Sequence, residues 1–173
     1  MAIEKERRFL VRDGFVPPGA EHVYIRQGYL CTDPDRTIRV RQVFTVPDTA
    51  GAMRGCDTEG RAFLTVKGRK DASGAGVEVE FPVPFGESED LLHMCVGCLV
   101  EKERFLVRWG HHTVEVDVFC GENEGLVIAE VERDSETFVP PDGWDEVTAD
   151  PRRWSNAALS VCPYRRMSAD ADL

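Results

Sequence analysis

The chain has 173 residues, 42% of them apolar and 30% charged, which is room for one domain with a substantial core. Its 21 Lys and Arg against 31 Asp and Glu leave a net charge of −10, which excludes a general binder of duplex nucleic acid or of anionic membrane surfaces; an anionic partner would need a localised basic site. No segment approaches the roughly 18 apolar residues of a membrane span, and Glu4-Lys5-Glu6-Arg7-Arg8 stands where a secretory signal needs an apolar run, so the expected location is cytoplasmic. The six cysteines (Cys31, Cys56, Cys95, Cys98, Cys120, Cys162) read as reduced thiols. Cys95-Val96-Gly97-Cys98 lies near His93, but it lacks the second pair of a zinc site and reads as packing thiols.

The first predicted element opens with Glu4, Glu6 and Arg8 at alternate positions, so a strand would aim all three at one face. The pattern returns as Arg39 and Arg41, Lys67 and Arg69, Glu78 and Glu80, Lys102 and Arg104, Glu115 and Asp117, and Glu130 and Glu132. Apolar residues hold the opposite parity: Ile38 and Val40, Leu64 and Val66, Val77, Val79 and Phe81, Val114, Val116 and Val118, Val127, Ala129 and Val131. Turn chemistry separates the runs at Pro17-Pro18-Gly19, Asp33-Pro34-Asp35, residues 71–76, Gly110-His111-His112 and residues 121–125, and residues 47–60 read as a long hairpin loop. Helix is expected over 87–96, ended by Gly97; briefly over 134–138; and over 152–161 behind Asp150-Pro151, with 164–173 as a frayed tail.

The alternating positions collect eight acids (Glu4, Glu6, Glu78, Glu80, Glu115, Asp117, Glu130, Glu132) and seven bases (Arg8, Arg39, Arg41, Lys67, Arg69, Lys102, Arg104), a sum of −1. For one strand, a solvated charged face is the better reading. Seven strands repeating Glu-x-Glu and Arg-x-Arg favour a closed barrel with a polar interior and an apolar exterior under a few helices. Charges in such a lumen are costly unless paired or ion-bound. Clustered Arg and Lys suit several phosphates, clustered carboxylates suit Mg²⁺ or Mn²⁺, and a metal–polyphosphate complex satisfies both.

Glu4-x-Glu6-x-Arg8-Phe9-Leu10-Val11 resembles the E-x-E-x-K signature of the CYTH superfamily, the triphosphate tunnel metalloenzymes. The likeness continues in order through Ile25-Arg26-Gln27-Gly28-Tyr29-Leu30, Ile38-Arg39-Val40-Arg41, Leu64-Thr65-Val66-Lys67, Val77-Glu78-Val79-Glu80, residues 100–104, residues 114–119, Ala129-Glu130-Val131-Glu132 and Trp154-Ser155-Asn156-Ala157-Ala158-Leu159. The resemblance implies an α+β, mainly β fold over residues 1–173: an eight-stranded antiparallel tunnel taking a small polyphosphate with divalent metal, as monomer or homodimer. It is closest to the small inorganic triphosphatases, with adenylyl cyclase, thiamine or nucleoside triphosphatase, or a non-catalytic polyphosphate-binding module as alternatives.

On this reading one Mg²⁺ (or Mn²⁺) is held by Glu4, Glu6 and Glu132, and Asp117 and Glu130 hold a second ion that activates water. Arg8, Arg39, Arg41, Lys67, Arg69, Lys102 and Arg104 clamp phosphates, Arg153 closes the mouth, and Lys102 and Arg8 are the candidate catalytic residues, Lys102 as the base. Glu78, Glu80 and Glu115 are further tunnel acids. Arg8 departs from the signature lysine, keeping the charge but losing a titratable amine.

Overall fold

The computed structural model describes residues 6–12, 22–45, 60–69, 76–132 and 137–171, at 132 and 168–171 by backbone alone. Nine strands form one sheet: β1 Glu6–Val11, β2 His22–Cys31, β3 Arg36–Thr45, β4 Arg61–Gly68, β5 Glu78–Val83, β6 Val96–Trp109, β7 His112–Cys120, β8 Val127–Glu132 and β9 Trp144–Glu146. Their order is β5-β4-β3-β2-β6-β7-β8-β1-β9, and every neighbouring pair is antiparallel.

Local chemistry sets the hairpins that sequence predicts. Asp33 closes the β2–β3 turn, its Oδ1 accepting from the Asp35 amide at 2.9 Å and its carbonyl from Arg36 N at 3.0 Å. Gly110 supplies φ +61° in the two-residue turn between Trp109 and His112, which face each other across β6–β7.

The period of two sorts side chains as expected. On the apolar face, Phe9, Phe105, Val107, Val114, Val116, Val127, Ala129 and Val131 pack beneath Phe138 and Trp144. The charged face is not solvated across its centre, where Lys102 and Asp117 are 0% and 2% exposed. At one end of that face Val100, Phe119, Leu126, Ile128 and Leu159 form a second apolar cluster, joined by Leu10, Trp154, Tyr164 and Met167.

The fold differs from the expected eight-stranded closed barrel. Among the described residues there are nine strands, and β5 pairs only with β4 and β9 only with β1, so the sheet is open. The reason lies at both edges. β9 takes the side of β1 that a closing strand would use, through Phe9↔Glu146 and Val11↔Trp144. At the other edge β5 is short and carries Pro82, which has no amide to donate. Outer-face Val79 and Phe81 of β5 are 41% and 51% exposed, so the apolar exterior is covered over β6, β7, β8 and β1 but not there.

Helix boundaries differ too. The helix expected over 87–96 is α1, Phe85–His93. Phe85 meets Phe44 edge-on at 5.5 Å and starts the helix after Pro84, while Val96 and Gly97 already belong to β6. The terminal helix is split into a 3-10 turn at Pro151–Trp154 and α2 at Asn156–Val161, because Ser155 turns extended and caps α2, accepting from Ala158 N at 3.2 Å. The tail read as frayed is instead α3, Tyr164–Ala171, restarted after Pro163 and tied down by Tyr164 N donating to Asn123 Oδ1 at 2.9 Å. The 47–59 part of the expected loop, residues 17–19, 71–75 and 134–136 lie outside the described residues. No described helix is long and apolar enough to cross a membrane.

Candidate active site

Register turns the alternating charges into a map. On the charged face Arg8 opposes Glu130, Arg104 opposes Asp117, and Lys67 opposes Glu78. Two polar members of the face are uncharged: Gln27 and Tyr29 of β2, opposite Arg41 and Arg39 of β3. A third, Thr65, lies between Arg39 of β3 and Glu80 of β5.

The β6–β8 part is a dense ion network. Lys102 Nζ donates to Asp117 Oδ2 at 2.5 Å; Arg104 grips the same carboxylate with Nε at 2.6 Å and Nη2 at 2.8 Å. Glu115 and Glu130 oppose each other across β7–β8, an unfavourable like pair that Arg104 offsets by reaching Glu115 and lying 3.7 Å from Glu130. Arg8 also pairs with Glu130 and lies 4.0 Å from Glu6. Burial would raise the Asp117 carboxyl, but Lys102 and Arg104 hold it down to about 2. Lys102 is lowered to about 8 by its own burial and by Arg104 and Arg41, against the pull of Asp117. Burial opposes the charge of Arg104, yet its carboxylate partners raise its pKa above the ordinary value.

The β3–β5 part is sparser. Arg39 Nη2 donates to Thr65 Oγ1 at 2.9 Å and lies 3.4 Å from Glu80, leaving its buried Nε without a partner. Lys67, half-buried, pairs with the exposed Glu78 at 2.9 Å. Arg41 has Nε on Gln27 Oε1 at 2.9 Å, and among Arg8, Arg39, Arg41, Lys67, Lys102 and Arg104 it alone has no carboxylate within ion-pairing distance; Arg61 and Arg108, of the same parity, are exposed at the ends of their strands. Burial, then Arg39 and Arg104, lower it to about 10. Burial likewise raises the Tyr29 hydroxyl, although Arg39 and Arg41 pull it down.

Several expected site residues stand elsewhere. Arg69 lies past the end of β4, 78% exposed beside Asp35 at 3.6 Å, so it leaves the face its parity assigned it. Arg153 is exposed on the 3-10 turn, over the Trp154 ring at 5.5 Å. Glu4 lies outside the described residues, and Glu132 is placed by backbone only, opposite Glu6. Among the described residues no three His, Cys, Asp or Glu converge as a metal site. Cys95 and Cys98 are free thiols whose partial burial raises both, Cys95 to about 11.

No family model matches the chain. A curated inorganic triphosphatase of Acetivibrio thermocellus is 38% identical over 170 residues, covering 95% of this chain and 97% of that protein. The chain belongs to the inorganic triphosphatase family. An inorganic triphosphatase of Nitrosomonas europaea is 32% identical over 165 residues, covering 91% of this chain and 97% of that one. A solved inorganic triphosphatase structure superposes with a TM-score of 0.64 at 31% identity, covering 93% and 96% of the two chains. Near-complete coverage of both partners means that the likeness runs along the whole chain rather than one part of it, as the ordered motifs do.

Gln27, Tyr29, Thr65 and Asn156, all on this face or against it, escape a screen for paired charges. Parity was the available signal for three of them: Gln27 and Tyr29 alternate with each other, and Thr65 alternates with Lys67. Asn156 comes from a helix and carries no such mark.

Proposed function

We propose that the protein hydrolyses inorganic tripolyphosphate to diphosphate and phosphate with the help of Mg²⁺ or Mn²⁺. The observation that carries this reading is Arg41, a guanidinium drawn into the sheet face without a carboxylate, next to Arg39 with its unpartnered Nε. Burying a cation without a counter-charge is costly unless an anion completes the site. A linear polyanion laid along β3, β2 and β6 would meet Arg39, Arg41, Lys102 and Arg104, with Lys67 and Arg8 at its flanks. The names of the relatives support the same substrate.

The donor set fits a hard divalent cation on one side of the face. Glu6 and Glu132 hold opposed positions in the β1–β8 ladder, and like charges so placed need positive charge between them. We assign the metal to Glu6 and Glu132, with Glu4 two residues before Glu6 in the same alternation. Asp117 serves instead to hold Lys102 and Arg104, since both its oxygens are already taken by those cations. Glu130, gripped by Arg8 and approached by Arg104, is an outer member of the same set. When bound, the ion supplies Lewis-acid stabilisation of phosphate oxygens. Within the protein, Arg41 and Arg39 fix the chain, Lys102 and Arg104 stabilise charge on the leaving diphosphate, and Lys102, with its ionisation lowered to about 8, is the side chain best suited to proton transfer.

Phosphate release from tripolyphosphate, ATP and thiamine triphosphate, with Mg²⁺ and with EDTA, tests the reading. Turnover of tripolyphosphate above the other two is expected. Cyclic AMP from ATP would identify a cyclase, and tight binding without turnover a binding module; either would overturn the proposal.

A further inference from the structure

The mouth of the charged face is crossed by a C-terminal strap that touches two of its cations. Lys102 Nζ lies 3.3 Å from Asn156 Oδ1, and Arg8 Nη1 donates to the Pro151 carbonyl at 3.1 Å. The strap is firmly fastened. Leu159 is fully buried against Val100 and Phe119, Trp154 packs in the same cluster, and Cys98 Sγ meets the Leu159 carbonyl at 3.5 Å. Gly97 sits so close that a Cβ there would lie 2.3 Å from the Ser160 carbonyl. Ser155 capping sets the start of α2 and so the place of Asn156 at its first position.

We infer that Asn156 is a positioning residue for Lys102: its fixed amide oxygen takes one ammonium proton, Asp117 takes another, and the third is left aimed at substrate. An ammonium is a rotatable point charge on a flexible stem. With Asp117 as its only acceptor, Lys102 could swing about that bond or lean toward the Phe119 ring, whose centre is 5.4 Å away. Two acceptors, one from β7 and one from α2, define its direction. No charge is added by the amide, so it orients the ammonium without competing with the phosphate for it.

The inference rests on tripolyphosphate occupying this face, and a double-mutant cycle tests it. Asn156→Ala should lower kcat/KM for tripolyphosphate about tenfold, as expected for loss of one hydrogen bond to a charged group. In a Lys102→Gln background, where the amide still reaches Asp117 but no ammonium needs aiming, the same change should cost less than about twofold. Asn156→Gln keeps a neutral amide oxygen on the same helix position and should lose less than Asn156→Ala. Equal losses from Asn156→Ala in both backgrounds, or equal losses from Ala and Gln, would overturn the inference and mark Asn156 as merely structural. The same cycle read in the Kd for tripolyphosphate by calorimetry decides the point even in a protein that binds without turning over, an outcome that would fail the proposed function alone.

Discussion

From β6 to β8 the charged face is closed on itself, whereas from β3 to β5 it is left open. Asp117 holds Lys102 and Arg104, and Glu115 and Glu130 complete Arg104, so each charge there already has its counterpart. Around Arg39 and Arg41 the partners are a threonine, a glutamine and one carboxylate 3.4 Å away. The same residue type, arginine on the same face of one sheet, therefore does two jobs. Arg104 holds the fold because removing it leaves a buried carboxylate with Lys102 as its one cation; Arg41 holds a neutral amide, that of Gln27, which leaves its charge for a ligand.

The largest effect should come from removing metal. Without Arg69, which leaves the face, the alternating charges sum to −2, which repels a polyanion, and the divalent ion assigned to Glu6 and Glu132 would bring them to 0. EDTA should abolish phosphate release and Mg²⁺ or Mn²⁺ restore it; full activity in excess EDTA would sink the assignment of Glu6 and Glu132.

Next come the two arginines, which should separate stability from activity. Arg104→Met leaves Asp117 and Glu115 short of a partner and should cost about 3–5 kcal/mol in denaturant unfolding. Arg41→Met removes a cation without a counter-charge but also the donor to Gln27, opposing effects that should leave unfolding within about 1 kcal/mol of wild type, yet reduce kcat/KM for tripolyphosphate roughly tenfold to a hundredfold. If the stability losses were equal, the two halves would not differ in kind.

Acid should act through the paired half. Asp117 ionises at about 2 in the fold, below its ordinary 3.8, so between those values the unfolded chain binds the extra proton. Stability from this group is present above about pH 4 and is lost as pH falls toward 2. Unfolding curves at pH 5, 4 and 3 should show a smaller drop for Asp117→Asn, which starts from a lower value. An identical drop would remove Asp117 from that role.

Smaller effects are expected at the periphery. Arg8→Lys keeps the charge facing Glu130 and should change turnover only a few-fold, whereas a large rise in kcat would show that a lysine at this position does chemistry that arginine cannot. Arg69→Ala should be silent within about twofold, because Arg69 is exposed beside Asp35.

How much of this was legible in the sequence follows from period and distance. Alternation depends only on the pleat, so it correctly placed Arg8, Arg39, Arg41, Lys67, Lys102, Arg104, Asp117 and Glu130 on one face. It failed at Arg69, where the strand ends one residue earlier at Gly68 and parity ceases to mean anything. Closure was misread for a similar reason: whether β5 meets β1 depends on edges, and β9, at three residues, is too short to show a period. The division of labour between Arg104 and Arg41 was invisible, since Arg-x-Arg and Lys-x-Arg look alike until register supplies Asp117 to one and Gln27 to the other.

The central claim is that the ligand completes the open half. Thermal melting of wild type, Arg41→Met and Arg104→Met, each with and without tripolyphosphate and Mg²⁺, tests it most directly. The wild type should gain stability from ligand, in proportion to RT ln(1 + [L]/Kd). Arg41→Met should melt close to the ligand-free wild-type temperature and lose most of that gain, while Arg104→Met should melt far lower. An Arg41→Met protein that keeps the full ligand-induced shift would contradict the account.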